Sequence, residues 1–418
     1  MGSGRGTDFP GGRPSSTISL GVRLDLSRSA LYGARNMSER LEALRSAIAP
    51  FIVMDVMEAA ARVEARGHRV LHLEVGQPST GAPRAALDAA HRALDEDKLG
   101  YSGARGLPAL RARIARHYAD YYGVSIAPDS VFATSGASGA FTLALLAAFE
   151  PGARVAIARP GYPCYRNILL ALGLVPVEID VDSSTDFHLT QARLSEHAVD
   201  GVIVASPANP TGSLLGAQAF EALLQYCEAR GVVPLVDEIY HGLSYDGARC
   251  ETAARFTERA FVINSFSKYF SMTGWRIGWM LVPERYRSAV ERLAQNLVIC
   301  PPTLSQIAAT AAFDASAELD AHVVRYANNR RILLDALEGV GVTEVAPAQG
   351  AFYVYANVSR FTSDSRAFCQ RMLEELHLAA TPGVDFDPRR GNEWVRFSYC
   401  ADTDTVSEAA ARLRAFLA

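Results

Sequence analysis

Lysine is nearly absent from this chain, and one of its two lysines has surroundings that suit chemistry. Among 418 residues there are 41 lysines and arginines, and only Lys98 and Lys268 are lysines. Lys98 stands in an acidic stretch, where an exposed, salt-bridged helix end explains it. Lys268 lies in the apolar, aromatic and hydroxyl-rich stretch 265–276. A desolvated lysine near another cation can lose its proton and attack a carbonyl carbon, which arginine cannot do. The residues alone also allow a lysine whose stem merely covers apolar surface.

Three further polar motifs follow predicted strands, where open α/β sheets bind their ligands. The small residues of 134–139 join a strand to an apolar helix. Their backbone N–H groups could hold a phosphate or form an ordinary helix cap. Asn209, flanked by prolines, could bond a ring hydroxyl or simply form a turn. Asp237 ends a buried strand, where a carboxylate needs a partner such as a protonated pyridine nitrogen. Capping of a following helix is the alternative role for Asp237.

Short apolar strands that alternate with helices would position these motifs. We expect strands at 130–134, 154–158, 175–179, 201–205, 233–236, 261–264 and 278–282. This pattern predicts an α/β fold with a mostly parallel seven-stranded sheet covered by helices. An earlier strand is expected at 70–75. After Pro301 and Pro302, we expect long helices over 303–337, strands at 351–355 and 393–398, and helices at 363–376 and the C-terminus. These later elements indicate a smaller α+β domain.

The order of the expected helices and strands divides the chain into four segments. Residues 1–17 are rich in Gly, Ser, Pro and Arg and lack the apolar core of a secretory signal, and residues 1–36 are expected to be a disordered tail. An amphipathic helix is expected from near Met37 to Arg66, interrupted at Pro50, in an N-terminal segment 37–80 that packs with the small domain. Residues 81–302 would form the large domain and 303–418 the small one.

Composition excludes several classes of protein. The apolar fraction of 49% and charged fraction of 21% are those of a folded protein with large cores. The net charge of −4 argues against nucleic acid or an anionic membrane as the main partner, and no apolar run is long enough to span a bilayer. The six cysteines and nine histidines are scattered. We therefore expect free thiols, a cytoplasmic protein and no metal site.

In their order and spacing, these segments resemble the fold-type I pyridoxal-phosphate enzymes, and among them the class I/II aminotransferases. The resemblance extends from about Pro50 to the C-terminus. It rests on Gly76-x-Pro78, Tyr101 with Gly106 and Leu110-Arg111, 206–212, Asp237-x-x-Tyr240, 265–268, Trp275-Arg276 and Arg396. It implies a homodimeric aminotransferase that moves an amino group between an amino acid and a 2-oxo acid in a ping-pong reaction.

The resemblance also implies roles for residues around the cofactor ring. Lys268 would hold pyridoxal 5'-phosphate as an internal aldimine and then act as general base and acid. Asp237 would pair with the pyridinium nitrogen. Asn209 and Tyr240 would bond the phenolic oxygen of the ring. Tyr162 would stack on the face of the ring, although a role as a core aromatic residue is the simpler alternative.

Further residues would bind the phosphate and the substrate. The phosphate ligands would be Gly136, Ala137, Ser138, Ser265, Ser267 and Arg276, with Tyr101 reaching the phosphate from the partner subunit. Arg396 would bind the substrate α-carboxylate as a bidentate fork, with Asn209 beside it. Gly76 would let the backbone approach the substrate. The simpler alternatives are a surface ion pair for Arg276 and an exposed strand position for Arg396.

One departure from the family bears on the substrate. Some aspartate aminotransferases have a lysine at the position of Ser138, and no second arginine for a distal carboxylate is evident in this chain. We therefore expect a neutral or apolar amino donor, with the segment 51–54 as an apolar wall. A same-fold carbon–sulfur β-lyase or aminocyclopropane-carboxylate synthase remains an alternative. So does a non-catalytic effector-binding regulator, which would need a DNA-binding domain that residues 1–50 do not resemble.

Overall fold

The computed structural model describes residues 1–2 and 43–417, and Arg45–Ala418 forms one compact unit. The expected tail (apart from residues 1–2) and the expected helix start near Met37 lie outside the described residues. The first α-helix of the described part begins only at Ile52. Pro50 accounts for this start, because proline lacks a backbone N–H and disfavours helical backbone in the residue before it.

Twelve α-helices lie in residues 43–417. They are α1 Ile52–Glu64, α2 Arg84–Glu96, α3 Pro108–His117, α4 Gly136–Ala148, α5 Pro163–Ala171, α6 Gln191–Ser195, α7 Ala217–Arg230, α8 Glu284–Leu297, α9 Thr303–Ala312, α10 Ser316–Gly339, α11 Ser365–Leu376 and α12 Thr403–Leu417. None of the helices in this part of the chain has the length and apolar character needed to cross a membrane.

Twelve strands occur in the same residues. They are β1 Leu71–His72, β2 Val131–Thr134, β3 Arg154–Arg159, β4 Val175–Asp180, β5 Gly201–Ala205, β6 Val233–Asp237, β7 Phe261–Ser265, β8 Gly278–Leu281, β9 Tyr353–Asn357, β10 Leu378–Ala379, β11 Thr381–Pro382 and β12 Trp394–Ser398. The seven strands expected for the main sheet are therefore all present, with ends that differ by one residue at most.

These seven strands form one mixed sheet in the order β2-β8-β7-β6-β5-β3-β4. The pairs β3–β4, β3–β5, β5–β6 and β6–β7 are parallel, whereas β8 is antiparallel to both of its neighbours. The expectation of a mostly parallel seven-stranded sheet in an α/β fold is confirmed. Because β3, β5, β6 and β7 all point the same way, their carboxyl ends meet at one edge.

Alternating side chains bury both faces of this sheet. On β5, Val202 and Val204 pack on one face with residues of α3, α7 and α9, while Ile203 packs on the other face with residues of α4, α5 and α8. Each buried Val or Ile contributes roughly 1.5–3 kcal/mol through removal of its apolar surface from water. Layers of helices on both faces therefore hold the strand ends, and the loops that follow them, in fixed positions.

Two smaller sheets involve the C-terminal part of the chain. Strand β1 pairs in parallel with β10, and β11, β12 and β9 form an antiparallel sheet. Helix α1 contacts β10, β11 and α11. The boundaries expected for the large and small domains remain a prediction.

Strand β1 is much shorter than the strand expected at 70–75. Leu73 still bonds backbone groups of Ala379 and Ser398, but beyond Leu73 the chain turns carbonyl groups toward side chains. The carbonyl of Glu74 accepts a hydrogen bond from Thr381, and that of Gly76 accepts one from Lys268. Carbonyls that bond side chains in this way cannot serve a strand ladder, which explains why the expected strand ends early.

Candidate active site

A cavity of about 200 Å³ lies at the edge where the parallel strands end. Its lining includes eleven of the residues expected at the site: Gly76, Ala137, Ser138, Tyr162, Asn209, Asp237, Tyr240, Ser267, Lys268, Arg276 and Arg396. Most of them follow β2, β3, β5, β6 and β7 directly. The order of the sheet thus brings together side chains that lie far apart in sequence.

Lys268 lies three residues after β7, and its amine is inside the cavity. Lys268 Nζ donates a hydrogen bond of 2.7 Å to the carbonyl oxygen of Gly76 and lies 5.9 Å from the centre of the Tyr240 ring. Burial lowers the pKa of the Lys268 amine to about 8, and the guanidinium groups of Arg396 and Arg276 lower it as well. The neutral, nucleophilic amine is therefore accessible near neutral pH.

Asp237 ends β6 and is buried. Its Oδ1 accepts a hydrogen bond of 3.0 Å from the backbone N–H of Ile239, and its Oδ2 accepts one from the hydroxyl of Tyr165. Burial raises the pKa of the Asp237 carboxyl to about 6, against the opposite effects of Tyr165 and of the Ile239 N–H. The alternative of a helix cap is wrong for Asp237, because the chain forms a turn at 239–242 and not a helix.

Tyr240 and Gly76 meet at a third residue, Tyr353. The hydroxyls of Tyr240 and Tyr353 lie 2.9 Å apart and both are buried. A Cβ atom at position 76 would overlap the hydroxyl of Tyr353. Glycine at 76 therefore allows Tyr353 to reach Tyr240 while the carbonyl of Gly76 stays beside Lys268.

The guanidinium of Arg276 lies beside the N-terminus of α4. Gly136 has a positive φ of 71°, and a Cβ atom there would lie 2.6 Å from Arg276 Nη2. Arg276 Nη1 donates a hydrogen bond of 3.0 Å to the carbonyl of Thr273. Within residues 43–417 Arg276 forms no ion pair with a carboxylate. A guanidinium beside a helix N-terminus attracts an anion, and a phosphate fits both groups.

Three expected cofactor residues do not line the cavity. Gly136 lies beside the guanidinium of Arg276 and is not part of the lining. Ser265 is buried behind Ser267, with its Oγ 2.9 Å from Ser267 Oγ and 3.2 Å from the Ile277 carbonyl oxygen. Tyr101 is 84% exposed and does not contact the cavity of its own chain.

Arg396, on β12, is almost fully buried. Its Nη1 donates to Asn209 Oδ1 at 3.0 Å, and its Nη2 donates to the Glu74 carbonyl and to Thr381 Oγ1. Its Nε has no hydrogen-bond partner among the described residues. The guanidinium carbon lies 4.3 Å from the centre of the Tyr353 ring. A buried cation without a carboxylate partner is costly, and an anionic ligand would compensate that cost.

An apolar wall closes one side of the cavity. Phe51 and Val53 belong to its lining, whereas Ile52 and Met54 do not, and Met54 is 51% exposed. The ring of Phe51 meets that of Tyr162 edge to face, with centres 5.8 Å apart. The expectation of a wall formed by 51–54 is therefore correct for two of its four residues.

Residues that sequence reasoning missed complete the site. Tyr165 bonds Asp237, Tyr353 bonds Tyr240, and Phe141 joins the lining of the cavity. Tyr165 lies three residues after Tyr162 at the start of α5, so the helical period could have indicated that both face the same way. No local signal pointed to Tyr353, whose partner is 113 residues away.

A comparison with protein families identifies the class of the chain. A model of the family described as aminotransferase class I and II matches residues 68–413. The chain belongs to this family, whose members use pyridoxal phosphate as cofactor. The chain is thus an aminotransferase that exchanges an amino group between an amino acid and a 2-oxo acid.

Individual relatives agree with this assignment. The chain is 49% identical to a valine–pyruvate aminotransferase of Mycobacterium tuberculosis over 91% of its own length and 99% of that protein. It is 30% identical to an aspartate aminotransferase of Sulfurisphaera tokodaii over 84% of its length and 91% of that protein. A crystal structure of an aminotransferase from Mycobacterium tuberculosis superposes with a TM-score of 0.89 at 48% identity, covering 90% of this chain and 99% of the other.

Proposed function

We propose that this aminotransferase takes its amino group from an amino acid with a neutral, apolar side chain, and that Lys268 is its catalytic lysine. The observation that supports this proposal most strongly is a half-buried lysine with a pKa of about 8 in a cavity that also contains two guanidinium groups. Neither Arg276 nor Arg396 has a carboxylate partner in the described part of the chain. The cavity thus contains a nucleophilic amine and two guanidinium groups without a carboxylate partner.

Pyridoxal phosphate, when bound, supplies an aldehyde for the amino group and a ring that withdraws electrons from the substrate Cα. Lys268 would hold the cofactor through Nζ and, once displaced by the substrate, would take the proton from Cα. Asp237 would hold a proton on the ring nitrogen, and Tyr165 would fix the orientation of the Asp237 carboxylate. Asn209 and Tyr240 would donate to the phenolic oxygen.

The phosphate would bind between Arg276 and the N-terminus of α4, with Ala137, Ser138 and Ser267 beside it. Gly136 would keep space for the guanidinium, because a Cβ atom at this position would lie only 2.6 Å from Arg276 Nη2. Ser265 would then act through its hydrogen bonds with Ser267 rather than by touching the phosphate.

The substrate would be held at two ends. Arg396 would bind the α-carboxylate, and Phe51, Val53 and Phe141 would contact the side chain. Apart from Lys268, Arg276 and Arg396, no cationic side chain lines the cavity among the described residues. Burial of a second carboxylate without a cation would cost several kcal/mol, whereas each buried methylene contributes about 0.8 kcal/mol. The valine named for the relative from Mycobacterium tuberculosis is a donor of the expected kind.

A screen of amino donors with pyruvate and with 2-oxoglutarate as acceptors tests the proposed selectivity. We expect valine, leucine or another neutral donor to exceed aspartate in kcat/KM by at least about 10-fold. The reason is that burial of one unpaired charge costs more free energy than one buried methylene contributes. The Lys268→Ala protein is the control for background reaction. If aspartate proves to be the best donor, the proposed selectivity is wrong.

We also propose that the protein is a cytoplasmic homodimer in which Tyr101 of each copy reaches the phosphate of the other. The 84% exposure of Tyr101 and an open cleft of about 550 Å³ beside Arg276 support this arrangement. Light scattering should give twice the mass of one chain. A fully active protein with the mass of a single chain would show that no partner is needed.

A further inference from the structure

The apolar wall of the cavity belongs to a short segment, 49–53, that is attached at three points. Asn167 Nδ2, on α5, donates a hydrogen bond of 3.2 Å to the carbonyl oxygen of Ala49. The ring of Phe51 packs on Tyr162. The backbone N–H of Ile52 donates a hydrogen bond of 3.2 Å to Asp385 Oδ1. The segment therefore has a fixed position relative to the cavity, although it lies outside the main sheet.

Asp385 is the charged member of these attachments. It lies in the turn just after β11 and is only 2% exposed. Its second oxygen, Oδ2, has no hydrogen-bond partner among the described residues. Burial raises the pKa of its carboxyl, while the N–H groups of Ile52 and Val53 and the guanidinium of Arg396 lower that pKa.

The buried carboxylate of Asp385 is explained by the start of α1, which needs a cap. The residue before this helix, Phe51, has no side-chain oxygen and so cannot cap it. The first N–H groups of a helix need acceptors, and its N-terminus favours a negative charge. Asp385 supplies the acceptor and the negative charge, although it lies 333 residues further along the chain.

We propose that Asp385 is a positioning residue that holds the wall residues Phe51 and Val53 and thereby sets the selectivity for large apolar side chains. This inference rests on the proposed function, because it concerns the side-chain end of the proposed substrate pocket. The side-chain carboxylate of Asp385 accepts from the backbone of the segment, and Asp385 is not part of the cavity lining.

A second effect of Asp385 has to be separated from this one. Its charge also acts on Arg396, so removal of the carboxylate would change the binding of the α-carboxylate as well. The two effects differ in their dependence on the substrate. Every amino acid has an α-carboxylate, so a defect at Arg396 affects alanine and leucine equally. Only a donor with a large side chain reaches Phe51 and Val53.

The experiment compares Asp385→Ala, Asp385→Asn and the wild type as holoenzymes. For Asp385→Ala we expect kcat/KM to fall about 10-fold for leucine and less than about 2-fold for alanine, with the loss mainly in KM. Hydrogen exchange of the peptide covering 49–56 should become about 10-fold faster. Asp385→Asn keeps an acceptor for Ile52 and should restore both properties. Asp55→Asn, which removes an exposed carboxylate from the first turn of α1, is the matched control.

The possible results lead to distinct conclusions. Unchanged exchange in 49–56 for Asp385→Ala, or an equal loss with alanine and leucine, would overturn the positioning role while leaving the proposed function intact. A wild-type protein that uses neither donor would overturn the proposed function and, with it, the role in selectivity. A selective loss with leucine together with faster exchange would support the inference.

Discussion

Replacement of Lys268 with alanine is expected to lower kcat for amino transfer by about 10⁴-fold or more, because one residue supplies both the nucleophile and the general base. No other amine can substitute for it. The second lysine of the chain, Lys98, is an exposed residue beyond the end of α2. The measurement is steady-state amino transfer with the best donor, together with the absorbance of the bound cofactor.

The chain supplies its own control for this prediction. Lys98→Ala removes the only other lysine and should leave both turnover and absorbance unchanged. Wild-type turnover in Lys268→Ala would show that the catalytic lysine has been wrongly assigned.

The pKa of Lys268 gives the same residue a characteristic pH dependence. Below about pH 8 the amine in the cofactor-free protein is a protonated ammonium, which cannot attack an electrophile, and above that pH it is neutral. Labelling of Lys268 by a small amine-reactive reagent should therefore be half-maximal near pH 8. Mass spectrometry of tryptic peptides measures the labelled fraction of Lys268, with Lys98 as the internal reference for the amount of reagent.

Replacement of Arg396 with methionine is expected to lower kcat/KM by about 10²–10³-fold for every amino donor and every 2-oxo acid, because all of them present the same α-carboxylate. Methionine has a similar length but no charge, and it would remove the donor to Asn209 Oδ1, while the Glu74 carbonyl would keep its hydrogen bond from Thr381. Kinetics of both half-reactions measure the effect. The affinity for pyridoxal phosphate should change little.

Two further variants define the cause of that loss. Arg396→Lys keeps the charge but not the planar fork, so it should recover only part of the activity. Arg66→Met removes an exposed arginine of the connection after α1 and should behave as wild type. An unchanged KM for amino acid and 2-oxo acid in Arg396→Met would exclude Arg396 as the carboxylate site.

The sequence predicted the main sheet well because its strands are short, continuous apolar runs between helices, a pattern typical of buried parallel strands. It predicted most of the residues around the cavity because Asn209, Asp237 and Lys268 follow such strands immediately. A residue at the end of a strand has its position fixed by the sheet, so a local motif is sufficient to place it.

Contacts between distant elements could not be predicted in the same way. Tyr165, Tyr353 and Asp385 contact the site or its wall through partners 72, 113 and 333 residues away. Ser265 shows the limit of such a motif. The motif predicts Ser265 and Ser267 together as phosphate ligands, but the chain turns directly after Ser265, and of the two serines only Ser267 lines the cavity. Side-chain direction within a motif depends on packing that the motif does not contain.

The pairing of β1 with β10 has a consequence for the synthesis of this protein. Glu74 supplies its carbonyl to Thr381, which leaves the ribosome 307 residues later. At about 5–20 residues per second, that interval lasts on the order of 15–60 s. During this time Leu71 and Leu73, both fully buried in the finished protein, have no partner strand. We therefore expect the nascent chain to expose this apolar segment to chaperones, and the active site to form only after the last strand has emerged.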